Sequence, residues 1–124
     1  MLLARRANTG YEDGKWSVPA GHVDGGESVR SAAVREAAEE IAVHVALDDL
    51  TFGHVMHRRN EDEERLDFFF VAMRWLGEPR IAEPDKCSEL VWADPDSLPG
   101  AVVPYVRHGI TPALAGEVFS EFGW

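Results

Sequence analysis

A single cysteine, Cys87, serves 124 residues. One thiol closes no internal disulfide and builds no four-cysteine zinc site. Positive charge is also scarce: 12 Lys and Arg stand against 22 Asp and Glu, giving a formal net charge of −10 and a pI near 4.8. That balance disfavours non-specific attachment to nucleic acid or to an anionic membrane. It leaves anionic small molecules open as substrates, because a bound cation reverses the local field. No apolar run approaches membrane-spanning length, and the opening MLLARRANTG lacks the apolar stretch of a secretion signal. Internal repeats and low-complexity tracts are absent too. The expectation is a soluble cytoplasmic protein.

What is present suits one folded unit over residues 1–124. The chain is 45% hydrophobic and 27% charged, a globular rather than disordered balance, and it is long enough for one core. MLLARR (1–6) reads as a short strand running into charge. ANTGYEDGK is rich in turn formers, and WSVPA is a brief extended segment ended by Pro19. Gly21, Gly25 and Gly26 mark a loop. Ser28 is placed to cap a helix from about Val29 to about Val43, with Val29, Ala32, Ala33 and Ala37 at buried-stripe spacing. TFGHVMHRR (51–59) and RLDFFFVAMRW (65–75) read as a hairpin around NEDEE. LVWAD (90–94) is a further strand. Residues 101–119 suggest a closing helix that Pro104 or Pro112 starts or breaks. Strands, a helix, strands and a helix make a mixed α/β domain around one sheet.

The acids of that first helix are oddly placed. In GHVDGGESVRSAAVREAAEEIAV (21–43), Glu36 shares a helical face with Glu39 and Glu40. Like charges at this spacing cost about a few tenths of a kcal/mol per pair. Arg35 reaches Glu39 at i+4 but cannot neutralise three acids. A hard divalent cation can, and clustered carboxylates with a backbone carbonyl suit Mg²⁺. Taken alone, EAAEE is most often a solvated acidic face; the spacing of the whole run decides otherwise.

Gly21, five residues, Glu27, seven residues, Arg35-Glu36, two residues and Glu39-Glu40 together resemble the Nudix box of the MutT-like hydrolases. The upstream WSVPAGH and the later strand–loop–strand order are similar to that family as well. The resemblance implies a Nudix-type α/β/α sandwich around a mixed sheet. Glu36, Glu39 and Glu40 are then the catalytic and metal-binding carboxylates, joined by the Gly21 carbonyl. A later-loop acid completes the set, Glu83 first and Asp85 second. Glu27 and Arg35 form a structural salt bridge that ties the loop to the helix. The implied cofactor is Mg²⁺, with Mn²⁺ as the alternative. The implied reaction is attack of water on the pyrophosphate of a nucleoside diphosphate linked to a further group, with either Glu40 or Glu36 as proton acceptor. Two positions depart from the pattern: Ala42 replaces a glycine at the helix end, and Ala37 replaces a bulkier aliphatic.

Substrate choice lies outside the box. The small size and AEPDKCSELVWADPDSLP resemble members that cleave nucleoside triphosphates. A nucleotide sugar or other conjugate is the second reading, and a non-catalytic nucleotide sensor the third. Phe69, Trp92 and Tyr105 are candidates to stack on a base, and each is equally suited to the core. Trp16 is read as core beneath the box loop. Arg5, with Arg6, and His22 are candidates for substrate phosphate. His44, His54, His57 and His108 lack zinc-site spacing and are read as structural or exposed. The family also carries an apolar strand before the segment matching MLLARR. Its lack here predicts an exposed sheet edge, which either an upstream natural start or a second protomer in a homodimer would cover.

Overall fold

The computed structural model describes residues 1–124. In chain order the elements are β1 (Leu2–Arg6), β2 (Trp16–Ser17), α1 (Val29–Ile41), β3 (Leu50–Arg59), β4 (Glu64–Ala72), β5 (Cys87–Trp92), α2 (Pro104–Leu114) and β6 (Phe119–Phe122). A 3₁₀ turn at Leu47–Asp49 leads into β3. No helix is long and apolar enough to cross a membrane.

α1 starts where its cap permits. Ser28 is extended (φ −77°), and its Oγ accepts from the Ser31 N–H at 3.1 Å, satisfying one orphan donor of the first turn. The helix ends at Ala42 in the left-handed region (φ 59°, ψ 31°), its N–H donating to Ala38 O at 3.1 Å. This is the turn that glycine makes without a Cβ penalty. Ala42→Gly is therefore expected to stabilise the fold by about 0.5–1 kcal/mol. A thermal melt checks this, and a lower melting temperature would show that the strain is absent.

The strands form two three-stranded sheets where the order of elements suggests one. β1 lies between β2 and β5, antiparallel to both, and β3 lies between β4 (antiparallel) and β6 (parallel). β6 is an addition to the sequence reading. α2 stops at Leu114, and residues 119–122 pair with Val55–Arg58 instead of prolonging the helix. Pro104 opens α2, where its missing N–H costs nothing; Pro112 sits in the last turn.

Two apolar clusters hold the elements. Leu3 joins Val102, Val103, Val106 and Ile110, with Trp16 and Tyr105 packed against them. Ile41, Val43, Val45 and Leu50 form the second, with Ala33 and Ala37 at its margin. Ala37 also borders a mainly apolar cavity of about 630 Å³. A bulge at Gly53 shifts the β3–β4 register, so that His54 faces Phe69 while Phe52 faces Phe70. Beyond the bulge, His54, Met56 and Arg58 form the buried row of β3. His54 is fully buried: Nδ1 meets Glu117 O at 2.7 Å and Nε2 meets Ser120 Oγ at 2.7 Å. The carbonyl can only accept, so Nδ1 carries the proton.

Candidate active site

The loop before α1 is organised by one guanidinium. Arg35 donates to both Glu27 oxygens, Nη2 to Oε1 at 2.7 Å and Nε to Oε2 at 3.1 Å. Its Nη2 also reaches the His22 carbonyl at 3.0 Å, and Glu27 Oε1 accepts the Asp24 N–H at 2.8 Å. A planar fork on a carboxylate fixes orientation as well as charge. The hydrogen bonds that Arg35 donates, chiefly, hold the Glu27 carboxyl below its ordinary pKa, and donating to Glu27 and Glu36 raises that of Arg35. The ion pair thus joins loop to helix eight residues apart in sequence.

The same guanidinium also binds acids of the cluster. Nη1 donates to Glu36 Oε1 at 2.8 Å and to Glu39 Oε2 at 3.1 Å. Glu40 has no such partner. Its Oε2 accepts the Ala20 N–H at 3.1 Å, and burial, with Glu36 and Glu83 nearby, pushes its pKa up to about 8. Arg35 thus offsets the charge of Glu36 and Glu39, while burial and the neighbouring acids favour the protonated form of Glu40.

Gly21 is pressed against this cluster. A Cβ at Gly21 would stand 1.9 Å from Glu36 Cδ and 2.1 Å from its Oε1. The bare Gly21 backbone thus lies directly against the Glu36 carboxylate, on the helix that also carries Glu39 and Glu40, an oxygen-rich donor set. That donor set fits a hard divalent cation, although no three acidic, imidazole or thiol groups converge into a ready-made metal cage. A cation held by Glu36 and Glu39 would have to compete with Arg35 for them.

Glu36, Glu39, Glu40, Gly21, His22 and Glu83 line one cleft of about 810 Å³. Asp85 does not line it; its carbonyl accepts from Asn8 Nδ2 at 3.1 Å. Arg5 borders the cleft, but its guanidinium is committed to Gly14 O at 3.0 Å and Glu89 Oε1 at 3.2 Å. The aromatic candidates separate. Tyr105 lines the cleft. Phe69 lies outside it, packed so closely under α2 that a Cβ at Gly109 would meet its ring at 2.5 Å. Trp92 is also outside, half-exposed and stacked on Trp75 at 5.9 Å. Arg58, Arg65 and Asp67 are cleft residues that the sequence reading passed over. The inward parity of β3 is the signal that points to Arg58, a cation continuing a row of His54 and Met56.

The loop–helix ion pair is open to a direct check. Glu27→Gln is expected to weaken divalent-cation affinity about 10- to 100-fold while turnover at saturating cation stays within about tenfold of wild type. Metal titration against turnover measures both. A loss at saturation as complete as that of Glu40→Gln would put Glu27 itself on the cation.

Fold and site together define a class: a mixed α/β domain whose capped helix and preceding glycine loop gather a carboxylate cluster at one cleft. The family model described as NUDIX domain matches residues 1–113, and the chain belongs to that family. A relative from Bacillus subtilis (strain 168) is 35% identical over 104 residues, 84% of this chain. The chain spans 64% of that relative's length. The protein named 8-oxo-dGTP diphosphatase of Escherichia coli (strain K12) is 27% identical over 111 residues, 86% of this chain and 82% of its own. Among solved structures, the MutT Nudix hydrolase from Burkholderia pseudomallei superposes with a TM-score of 0.82 at 30% identity, covering 90% of this chain and 85% of its own.

Proposed function

We propose that this protein is a divalent-cation-dependent pyrophosphohydrolase of small nucleotides, with nucleoside triphosphates as its first substrate class and Mg²⁺ as its cation. The observation that carries the reading is the close approach of the Gly21 backbone to the Glu36 carboxylate, with Glu39 and Glu40 on the same helix. Glu36, Glu39, Glu40 and the Gly21 carbonyl would hold the cation, with Glu83 the further acid at the cleft. Mg²⁺, when bound, would lower the pKa of a coordinated water and offset charge developing on phosphorus. Arg35 and Glu27 hold the loop so that Gly21 stays against Glu36, and Ala20 anchors Glu40. The names of the Escherichia coli relative and of an RNA pyrophosphohydrolase from Erythrobacter litoralis, 31% identical over 111 residues, support cleavage of a phosphoanhydride.

The test is release of phosphate or pyrophosphate from nucleoside triphosphates, nucleotide sugars and 5′-triphosphorylated RNA, with Mg²⁺ and with chelator. Turnover is expected with Mg²⁺ alone and highest for a triphosphate; the net charge of −10 works against a long polyanion. Mg²⁺-independent turnover, or none on any substrate, would overturn the reading.

A further inference from the structure

The hydrolase reading gives the apolar cavity no role. Ala37, where the Nudix pattern has a bulkier aliphatic, lies on its wall. Ala33, one turn earlier on the same face of α1, lines it too. The cavity, of about 630 Å³, is large enough for a small organic molecule. Its polar side chains are sorted to one end. Every ionisable side chain on the wall (His22, Glu36, Arg65, Asp67 and Tyr105) also lines the polar cleft, and so does Gly21. The remaining side chains are apolar, apart from the indole N–H groups of Trp75 and Trp92. Cavity and cleft therefore meet at the contact between Gly21 and Glu36.

A molecule that occupies both spaces must be anionic at one end and free of hydrogen-bonding groups at the other. A diphosphate meets the first demand at the acid cluster. A nucleoside fails the second. Its base edge and ribose hydroxyls would find no side-chain partners among alanines, valines and phenylalanines, and burying polar groups unpaired is unfavourable. An alkyl or isoprenoid chain has no such groups to lose, and it gains by leaving water. A nucleoside therefore stays in the polar cleft while an apolar chain takes the cavity. The two kinds of substrate share the acid cluster and diverge beyond it.

We propose that the cavity binds the chain of a diphosphate monoester of an apolar alcohol, and that the acid cluster hydrolyses this ester as a second substrate class. The inference rests on the hydrolase reading for its chemistry and on the cavity alone for its binding. In the reaction the oxygen of water bonds to the terminal phosphorus. The bond from that phosphorus to the bridging oxygen breaks, and its electron pair stays on the alkyl monophosphate. One proton of the water leaves through the acid cluster to solvent. The products are an alkyl monophosphate and inorganic phosphate. Ala33 and Ala37 set specificity by being small: they leave the chain its room.

The test measures kcat and KM for butyl, hexyl and octyl diphosphate and for ATP, with Mg²⁺, in wild type, Ala33→Leu and Ala37→Leu. Each buried methylene strengthens binding, so KM should fall at least about tenfold from the butyl to the octyl ester. Leu at either position narrows the cavity, so KM for the octyl ester should rise about tenfold while the butyl ester and ATP stay within about twofold of wild type. Melting temperatures confirm that each variant is folded. Metal-free wild type gives a second reading, independent of turnover. The neutral fluorophore phenylnaphthylamine should brighten in the cavity, and octyl diphosphate should displace it where butyl diphosphate and ATP do not. An enzyme that cleaves ATP but not the octyl ester, a KM independent of chain length, or Leu variants that impair ATP and the octyl ester equally would overturn the proposal and leave the hydrolase reading intact. So would a protein that is dimeric in solution and excludes the fluorophore, because a second copy would then fill the cavity. If wild type cleaves neither class, the hydrolase reading fails on its own. Displacement of the fluorophore by octyl diphosphate would then support the cavity assignment, and its absence would overturn it.

Discussion

Glu40→Gln should lower nucleotide turnover by about 10²-fold or more at saturating Mg²⁺, yet melt at a higher temperature than wild type in metal-free buffer at pH 8 to 9. Both halves follow from the surroundings of one carboxyl. Glu40 is largely buried, accepts only the Ala20 N–H, and lies beside Glu36 and Glu83; its pKa is pushed up to about 8. Such a group binds more protons in the folded chain than in the unfolded one between its ordinary value and about 8. Stability therefore falls as pH rises through that window. Gln carries no charge to bury, so its advantage should vanish near pH 5, grow as pH rises toward 8 and be complete above pH 8. The same substitution replaces a charged oxygen ligand with a neutral amide, which serves a hard cation poorly. Thermal melts across pH, paired with turnover at saturating Mg²⁺, read the two effects separately. Near-wild-type turnover would remove Glu40 from the set of cation ligands. A melting temperature equal to that of wild type at every pH would show that the carboxyl is not held protonated.

Gly21→Ala is the second large effect, and it acts by shape alone. The added methyl would fall 1.9 Å from Glu36 Cδ. The obstacle is the far end of a side chain, so the fold can yield by swinging Glu36 aside. Doing so breaks the 2.8 Å hydrogen bond from Arg35 Nη1 and moves a carboxylate away from the Gly21 backbone. Turnover is expected to fall about 10- to 100-fold with little change in melting temperature. Gly25→Ala is the control in the same loop: a Cβ there meets nothing within 4 Å, and turnover should hold. Equal effects of the two substitutions would show that loop flexibility, rather than the Gly21–Glu36 contact, limits activity.

The run from Gly21 to Ala42 was legible without coordinates because its order is local. Ser28 caps the helix it precedes, helical periodicity sets Glu36, Glu39 and Glu40 on one side, and Arg35 lies within reach of Glu27 across a short loop. The left-handed residue at the helix end also falls where the family pattern has glycine, although alanine occupies it here. Spacing of three or four residues is a distance in a helix, so the chain by itself fixed these neighbours. The division of the strands into two sheets, and the pairing of residues 119–122 with β3, depended on partners more than fifty residues away. The fates of Phe69, Trp92 and Tyr105 depended on packing that no local pattern encodes; all three are aromatic, and only Tyr105 came to the cleft. Arg58, Asp67 and Tyr105 belong to β3, β4 and α2, and one bulge at Gly53 sets which face of the hairpin carries the first two. A strand side chain changes face with a one-residue shift of register. Whether Arg58 met solvent, the core or the cleft was therefore decided only when the sheets and α2 closed around it.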